Sequence, residues 1–115
     1  MNRFEMYLNE CARQYSNRFS KDDIIAYLVV SNNKANKHSP AVTTLPIVYA
    51  QSEEETDSNV CIHNVGGVDK AVVQCSKPTT IDKSKLQRCI GYLKDAETQN
   101  RVNQAMRSHI AKLLA

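Results

Sequence analysis

Apolar residues along the 115-residue chain change their period several times, and each change marks an element. Near the start, Phe4, Tyr7, Leu8, Cys11, Ala12 and Tyr15 recur at intervals of three and four, with Arg3, Asn9, Glu10, Arg13 and Gln14 between them. That spacing predicts an amphipathic helix over residues 2–16, the body of an N-terminal segment spanning 1–19. The run "SNRFSKDD" breaks the pattern. Within it, Ser20 with Asp23 and Phe19 with Ile24 have the spacing of a capping box and a hydrophobic staple, in competition with the β-rich run that follows.

From Ile24 to Ser31 the apolar residues are continuous rather than alternating, which predicts a strand buried on both faces. Ala41 to Tyr49 is a second strand, and Pro46 inside it lacks a donor for the ladder, so an edge or a bulge is expected there. The acidic "QSEEETDS" reads as a solvated turn. Val60–Ile62 and Ala71–Gln74 are short strands flanking "NVGGVDK", whose Gly-Gly pair is typical of hairpins. "TIDKSKLQRCIGYL" reads as a turn and then a strand ending near Gly91. In the last segment Val102, Ala105, Met106, His109, Ile110, Leu113 and Leu114 form one stripe at helical spacing, with Asp95 as N-cap and Arg101, Arg107 and Lys112 off the stripe. A sheet over 24–92 and a helix over 95–114 make a single α+β domain, 1–115, in which each element covers the other's apolar face.

Composition changes this picture little: 42% hydrophobic and 23% charged residues suit a globular protein. The net charge of +3 is compatible with an anionic partner but far below that of a dedicated DNA-binding protein. No apolar run approaches the roughly 20 residues that span a bilayer, and "MNRFEMYLNECARQY" has no signal-peptide core, so no membrane role and a cytoplasmic location are expected. Cys11, Cys61, Cys75 and Cys89 are scattered without a CxxC, as reduced thiols would be. Cys61 and His63 can share one strand face, but two ligands do not make a metal site; neither metal nor cofactor is expected.

Two clusters carry candidate chemistry. The first follows the doubly buried strand in "LVVSNNKANKHSP": Asn32, Asn33, Lys34, Asn36, Lys37, His38 and Ser39 offer donors and cations for phosphate oxygens and base edges. The second is "KPTTIDKSKL", where Thr79, Thr80, Lys83, Ser84 and Lys85 gather hydroxyls and cations around a proline-initiated bend. Both compositions also suit solvated turns held by their own side-chain bonds. A lone His63 at a strand end reads as structural.

In order and spacing these pieces resemble the MazF/PemK family of toxin endoribonucleases. "LVVSNNKANKHSPAVTTLPIV" (28–48) is similar to that family's second strand, its Asn-rich basic loop ending in Ser-Pro, and its third strand. "VDKAVVQCSKPTTIDKSKLQRCIGYL" (68–93) is similar to its strand followed by an Arg-Thr-Ile-Asp-Lys-x-Arg-Leu box, and "AETQNRVNQAMRSHIAKLL" to its terminal helix. The resemblance, which covers about residues 26–115, implies a small twisted antiparallel sheet of the SH3-like barrel type shared with the CcdB-like toxins, and a C-terminal helix packed on it. It further implies a homodimer whose groove receives single-stranded RNA, sequence-specific cleavage without metal, and an antitoxin peptide that occupies the same groove. The Asn32–His38 loop and Thr79, Thr80, Lys83 and Lys85 would then be RNA-facing.

The departures are as informative. The family's cleaving Arg and Thr fall at Ile25 and Val48, and the Pro after its Arg at Ala26. Neither aliphatic replacement donates a hydrogen bond or carries charge, so activity is expected to be weak or lost. An alternative is an active endoribonuclease with relocated groups, drawn from Arg18, Thr44 and His38; another is a protein-binding toxin of the CcdB type. The N-terminal helix would replace the family's first strand.

Overall fold

The computed structural model describes residues 1–10, 23–51 and 55–114. In chain order its elements are β1 (Glu5–Leu8), β2 (Ile24–Val29), α1 (Asn33–His38), β3 (Ala41–Tyr49), β4 (Asn59–Val65), β5 (Val68–Gln74), β6 (Thr79–Asp82), a 3-10 turn (Lys83–Lys85), β7 (Cys89–Tyr92) and α2 (Ala96–Leu114). The strands form one curled antiparallel sheet in the order β4-β5-β3-β2-β1-β7, with β6 attached to β3. This is the expected α+β arrangement.

Inner strands must be apolar on both sides, and β2 is: Ala26, Leu28 and Val30 enter the main core, while Val29 packs on the opposite face with Tyr7, Val42 and Leu86. Strand β3 alternates in the same way. Leu45 and Ile47 point into the main core, and Val48 points away, beside Ala50 and Val72. Val102 and Ala105 of α2 cover the main core from the inside of the curl.

Pro46 finds the position where its missing donor costs nothing. Thr43 accepts from the backbone N–H groups of Val30 and Ser31, and the Tyr49 N–H donates to Asp23, so odd-numbered groups of β3 face β2. Even-numbered groups face the other edge, where the Ala50 N–H donates to Lys70. On that edge β6 pairs with Ala41–Thr44 and β5 with Ile47–Tyr49. Pro46 falls in the gap between them. The bulge lies in the neighbouring strand, between Ile24 and Ala26.

The Gly-Gly pair closes the β4–β5 hairpin as expected. Val65 faces Val68, and Gly66 and Gly67 have φ of +57° and +85°. Positive φ at both central residues gives the turn whose twist matches paired strands.

Two expectations are corrected. Residues 5–8 are strand, not helix, and β1 pairs with both β2 and β7. "FEMYL" alternates as well as it spirals: Phe4 and Met6 enter the main core while Tyr7 goes to the other face. Two ladders outweigh a local helical preference. The family's first strand is therefore present, and the rest of the expected helix, with the possible cap at Ser20, lies in residues 11–22, outside those described. The second correction is at 33–38, expected as loop, which forms the one-and-a-half-turn helix α1.

Helix α2 starts where Asp95 predicts. The Thr98 hydroxyl donates to the Asp95 carboxylate at 2.6 Å, and this bond, with those from backbone N–H groups, holds its pKa below the usual carboxylate range.

The described cysteines differ sharply. Cys75 is buried and burial pushes its thiol up to about 12, whereas Cys89 is exposed. Iodoacetamide at pH 8 should label Cys89 at least ~100-fold faster than Cys75, with the difference vanishing in denaturant. Peptide mass spectrometry reads both sites.

Candidate functional site

Helix α1 is anchored by the asparagines that sequence reasoning assigned to a ligand. Asn32 is its N-cap, the side-chain oxygen accepting from the Ala35 N–H at 2.8 Å. Asn33 accepts from the Arg3 N–H at 2.7 Å and so ties the start of the chain to the helix. Asn36 is fully buried: its amide donates to the Ser31 carbonyl at 2.9 Å, and the Ser31 hydroxyl donates back to its side-chain oxygen. Ser31 in turn accepts from the Thr43 N–H at 3.1 Å. The three asparagines therefore fix a platform on which Lys34, Lys37 and His38 are exposed beside Asn32 and Asn33. Lys37 sits in the last turn, where positive charge is favoured by the helix dipole, and His38 follows it.

The second cluster is brought to the same end of β3. Thr79–Asp82 pairs with Ala41–Thr44, and the Lys83 N–H donates to the Pro40 carbonyl at 2.9 Å, two residues after His38. Thr79, Thr80 and Lys85 are exposed and Lys83 is half-buried. A hollow of about 420 Å³ opens beside them, lined by Leu8, Asn9, Glu10, Tyr27, Ala41, Thr79–Asp82, Lys85 and Leu86. Its walls hold an aromatic ring, two carboxylates, two threonines and a lysine, a set able to stack a planar group and bond its polar edge. Glu10 and Tyr27 were not legible as site residues, because only the β1–β2 pairing brings them to β6. Asp82 stood inside the recognised box, and its acceptor chemistry was the available signal. Tyr7, nearby on this face, is pushed up to about 12, mainly by burial and then by the Glu5 carboxylate, so it stays protonated and is no base.

The positions that the sequence resemblance assigns to the family's cleaving pair are both closed. Ile25 and Val48 are 2% and 3% exposed. Ile24, not Ile25, faces Val48 across the ladder, and the bulge turns Ile25 into the main core while Val48 lies on the opposite face. Thr44 does share the parity of Val48, but it is fully buried and its hydroxyl donates to the Thr79 carbonyl at 3.0 Å. His38 is exposed on α1. Arg18 lies outside the described residues. Among the described residues no three His, Cys, Asp or Glu side chains gather as metal ligands, and no helix is long and apolar enough to cross a membrane.

Comparison with known proteins agrees with the sequence resemblance. Residues 3–110 match the model of the PemK-like, MazF-like toxins of type II toxin–antitoxin systems. Among curated protein sequences none is significantly similar. Among solved structures, an endoribonuclease from Mycobacterial species superposes with a TM-score of 0.68 at 19% identity, over 96% of this chain and 91% of that one. Another, an endoribonuclease from Mycobacterial species in complex with its cognate antitoxin, gives 0.70 at 18% identity, over 96% and 95%. Mycobacterium tuberculosis toxin MazF-mt6 gives 0.63 at 23% identity, over 82% and 97%. At these identities the superpositions speak for the fold.

Proposed function

Because this chain belongs to the PemK-like, MazF-like toxin family, we propose that it keeps the family's binding role while its RNA-cleaving activity is weak or lost. Single-stranded RNA lies along the platform of Lys34, Lys37 and His38 and past Thr79, Thr80, Lys83 and Lys85, with a base in the neighbouring hollow. An antitoxin-type peptide competes for the same groove, formed in a homodimer in the cytoplasm; a similar fold has been captured with its cognate antitoxin, which supports that partner.

The observation that carries this reading is the pair of buried aliphatics at 25 and 48. In-line attack of a ribose 2′-hydroxyl on the adjacent phosphate needs a cation against the growing negative charge and groups that move protons. Loss of one such donor lowers the rate by about 100- to 1000-fold, so loss of two leaves little. Thr44 supports the reading too, since its hydroxyl is committed to a backbone carbonyl.

Incubation with mixed single-stranded RNA, without metal, should give a gel shift and intact RNA. Binding should weaken with salt, and Lys34→Ala/Lys37→Ala should lower the slope of log affinity against log salt by about 1.4, two phosphate contacts on a single strand. Fragments ending in 2′,3′-cyclic phosphate, abolished by His38→Ala, would overturn the loss of cleavage. An unchanged slope in the double lysine variant would remove α1 from the binding site.

A further inference from the structure

Arg3 belongs to neither candidate cluster, yet it joins the α1 platform to the far end of the chain. Its backbone N–H donates to the Asn33 side chain at 2.7 Å. Its own side chain leaves for α2, where Nη2 donates to Asn103 Oδ1 at 2.6 Å, and the guanidinium lies over the Phe4 ring, 4.9 Å from the centroid. These two partners are 30 and 100 residues away in sequence. Asn32 and Asn36 bond within the stretch that carries α1, to Ala35 and Ser31. Asn33 instead ties the helix to the residues that lead into β1. A helix of six residues has little stability of its own, so such ties decide where it sits.

The backbone beside Arg3 is held in an unusual shape. Phe4 has φ of +69°, in the left-handed region that residues with a Cβ avoid. Bonds from both sides keep it there: its N–H donates to the Val29 carbonyl at 2.7 Å, and its carbonyl accepts from the Leu93 N–H at 2.9 Å. With Phe4 so fixed, the Arg3 N–H faces α1 while its side chain reaches α2. The buried Arg3 Nε has no partner among the described residues, a cost that an arginine kept for stability alone would not carry. We propose that Arg3 and Asn103 are positioning residues for RNA binding: without touching the ligand, they hold α1 so that Lys34 and Lys37 meet their phosphates as one rigid pair. The proposal rests on the reading of α1 as RNA-facing.

Amide hydrogen exchange, RNA affinity and its salt dependence test this on the full-length protein. In Asn103→Ala, which removes no charge, the Asn36 and Ser39 amides should exchange at least ~5-fold faster, with those of the β4–β5 hairpin unchanged. RNA affinity should fall by about fivefold or more, with the salt slope of the parent. Arg3→Ala should do the same, and the double variant should bind no worse than the weaker single. Asn103→Asp, which keeps an acceptor for Nη2, should exchange like the parent. A salt slope lowered by about 0.7 in Arg3→Ala would make Arg3 itself a phosphate contact and overturn the proposal. So would unchanged α1 exchange in Asn103→Ala, faster exchange spread evenly over the protein, or RNA affinity that ignores both variants. Absence of an RNA gel shift in the parent would overturn the reading beneath the proposal, and faster α1 exchange in Asn103→Ala would then still show that the two residues hold the helix.

Discussion

Ile25→Arg combined with Val48→Thr, the exchange that reinstates the family's cleaving pair on paper, is expected to unfold the protein and not to restore cleavage. Residue 25 is 2% exposed and belongs to the cluster that includes Leu28, Leu45 and Val102. An unpaired charge placed there costs several kcal/mol even after the surroundings relax. Val48→Thr adds roughly 1–3 kcal/mol, because its hydroxyl enters an apolar cluster with Ala50 and Val72. Against a typical total of about 5–15 kcal/mol, the sum removes most or all of the stability. Thermal denaturation followed by circular dichroism should show the midpoint lowered by at least ~10 °C, or no folded baseline. A double variant that melts normally and releases cyclic-phosphate ends would mean that residue 25 faces the groove, and the reading of this site would fail with it.

Asn36→Leu should be the most damaging change on the α1 platform. The substitution is nearly isosteric and apolar, so packing is preserved while two interactions with Ser31 are lost. Each buried polar group left without a partner costs about 1–3 kcal/mol, giving roughly 2–6 kcal/mol in all. Asn36 joins the end of β2 to α1, so Lys34, Lys37 and His38 lose their fixed positions too. Chemical denaturation should show the loss, and the RNA gel shift should weaken although no removed atom is exposed. Lys34→Ala, by contrast, should weaken binding with stability within about 0.5 kcal/mol of the parent. Equal effects of the two changes on stability would refute the anchoring role of Asn36.

Those contrasts show where the sequence is transparent. Strand β3 was legible to the residue, as Ala41–Tyr49, because its alternation and its flanking Pro40 and acidic stretch are local signals. The Gly-Gly hairpin and α2 were equally plain. The N-terminal strand was not, since Phe4, Tyr7 and Leu8 satisfy a helical period and only the ladders with β2 and β7 choose between the two. Strand β6 hid inside a segment rich in turn-forming residues for the same reason: its partner, Ala41–Thr44, is over 30 residues away. Within the candidate site, residue type pointed to two segments that the fold brings to one end of β3, but not to what each side chain bonds. Composition cannot separate an asparagine that caps a helix or fills a core from one that meets a ligand. Lys34, Lys37 and His38 remain once Asn32, Asn33 and Asn36 are accounted for. Nor could alignment by spacing reveal that a bulge turns Ile25 away from Val48.

The missing donor at Pro46 divides the outer rim of β3 into two independent territories. One side holds the β4–β5 hairpin, the other holds β6 with its tie from Lys83 to Pro40. No ladder bond crosses the proline on that rim, so the β6 arm and the β4–β5 hairpin are held to β3 by separate sets of hydrogen bonds. A substitution that loosens the β6 arm should therefore leave the backbone bonds between the hairpin and β3 in place.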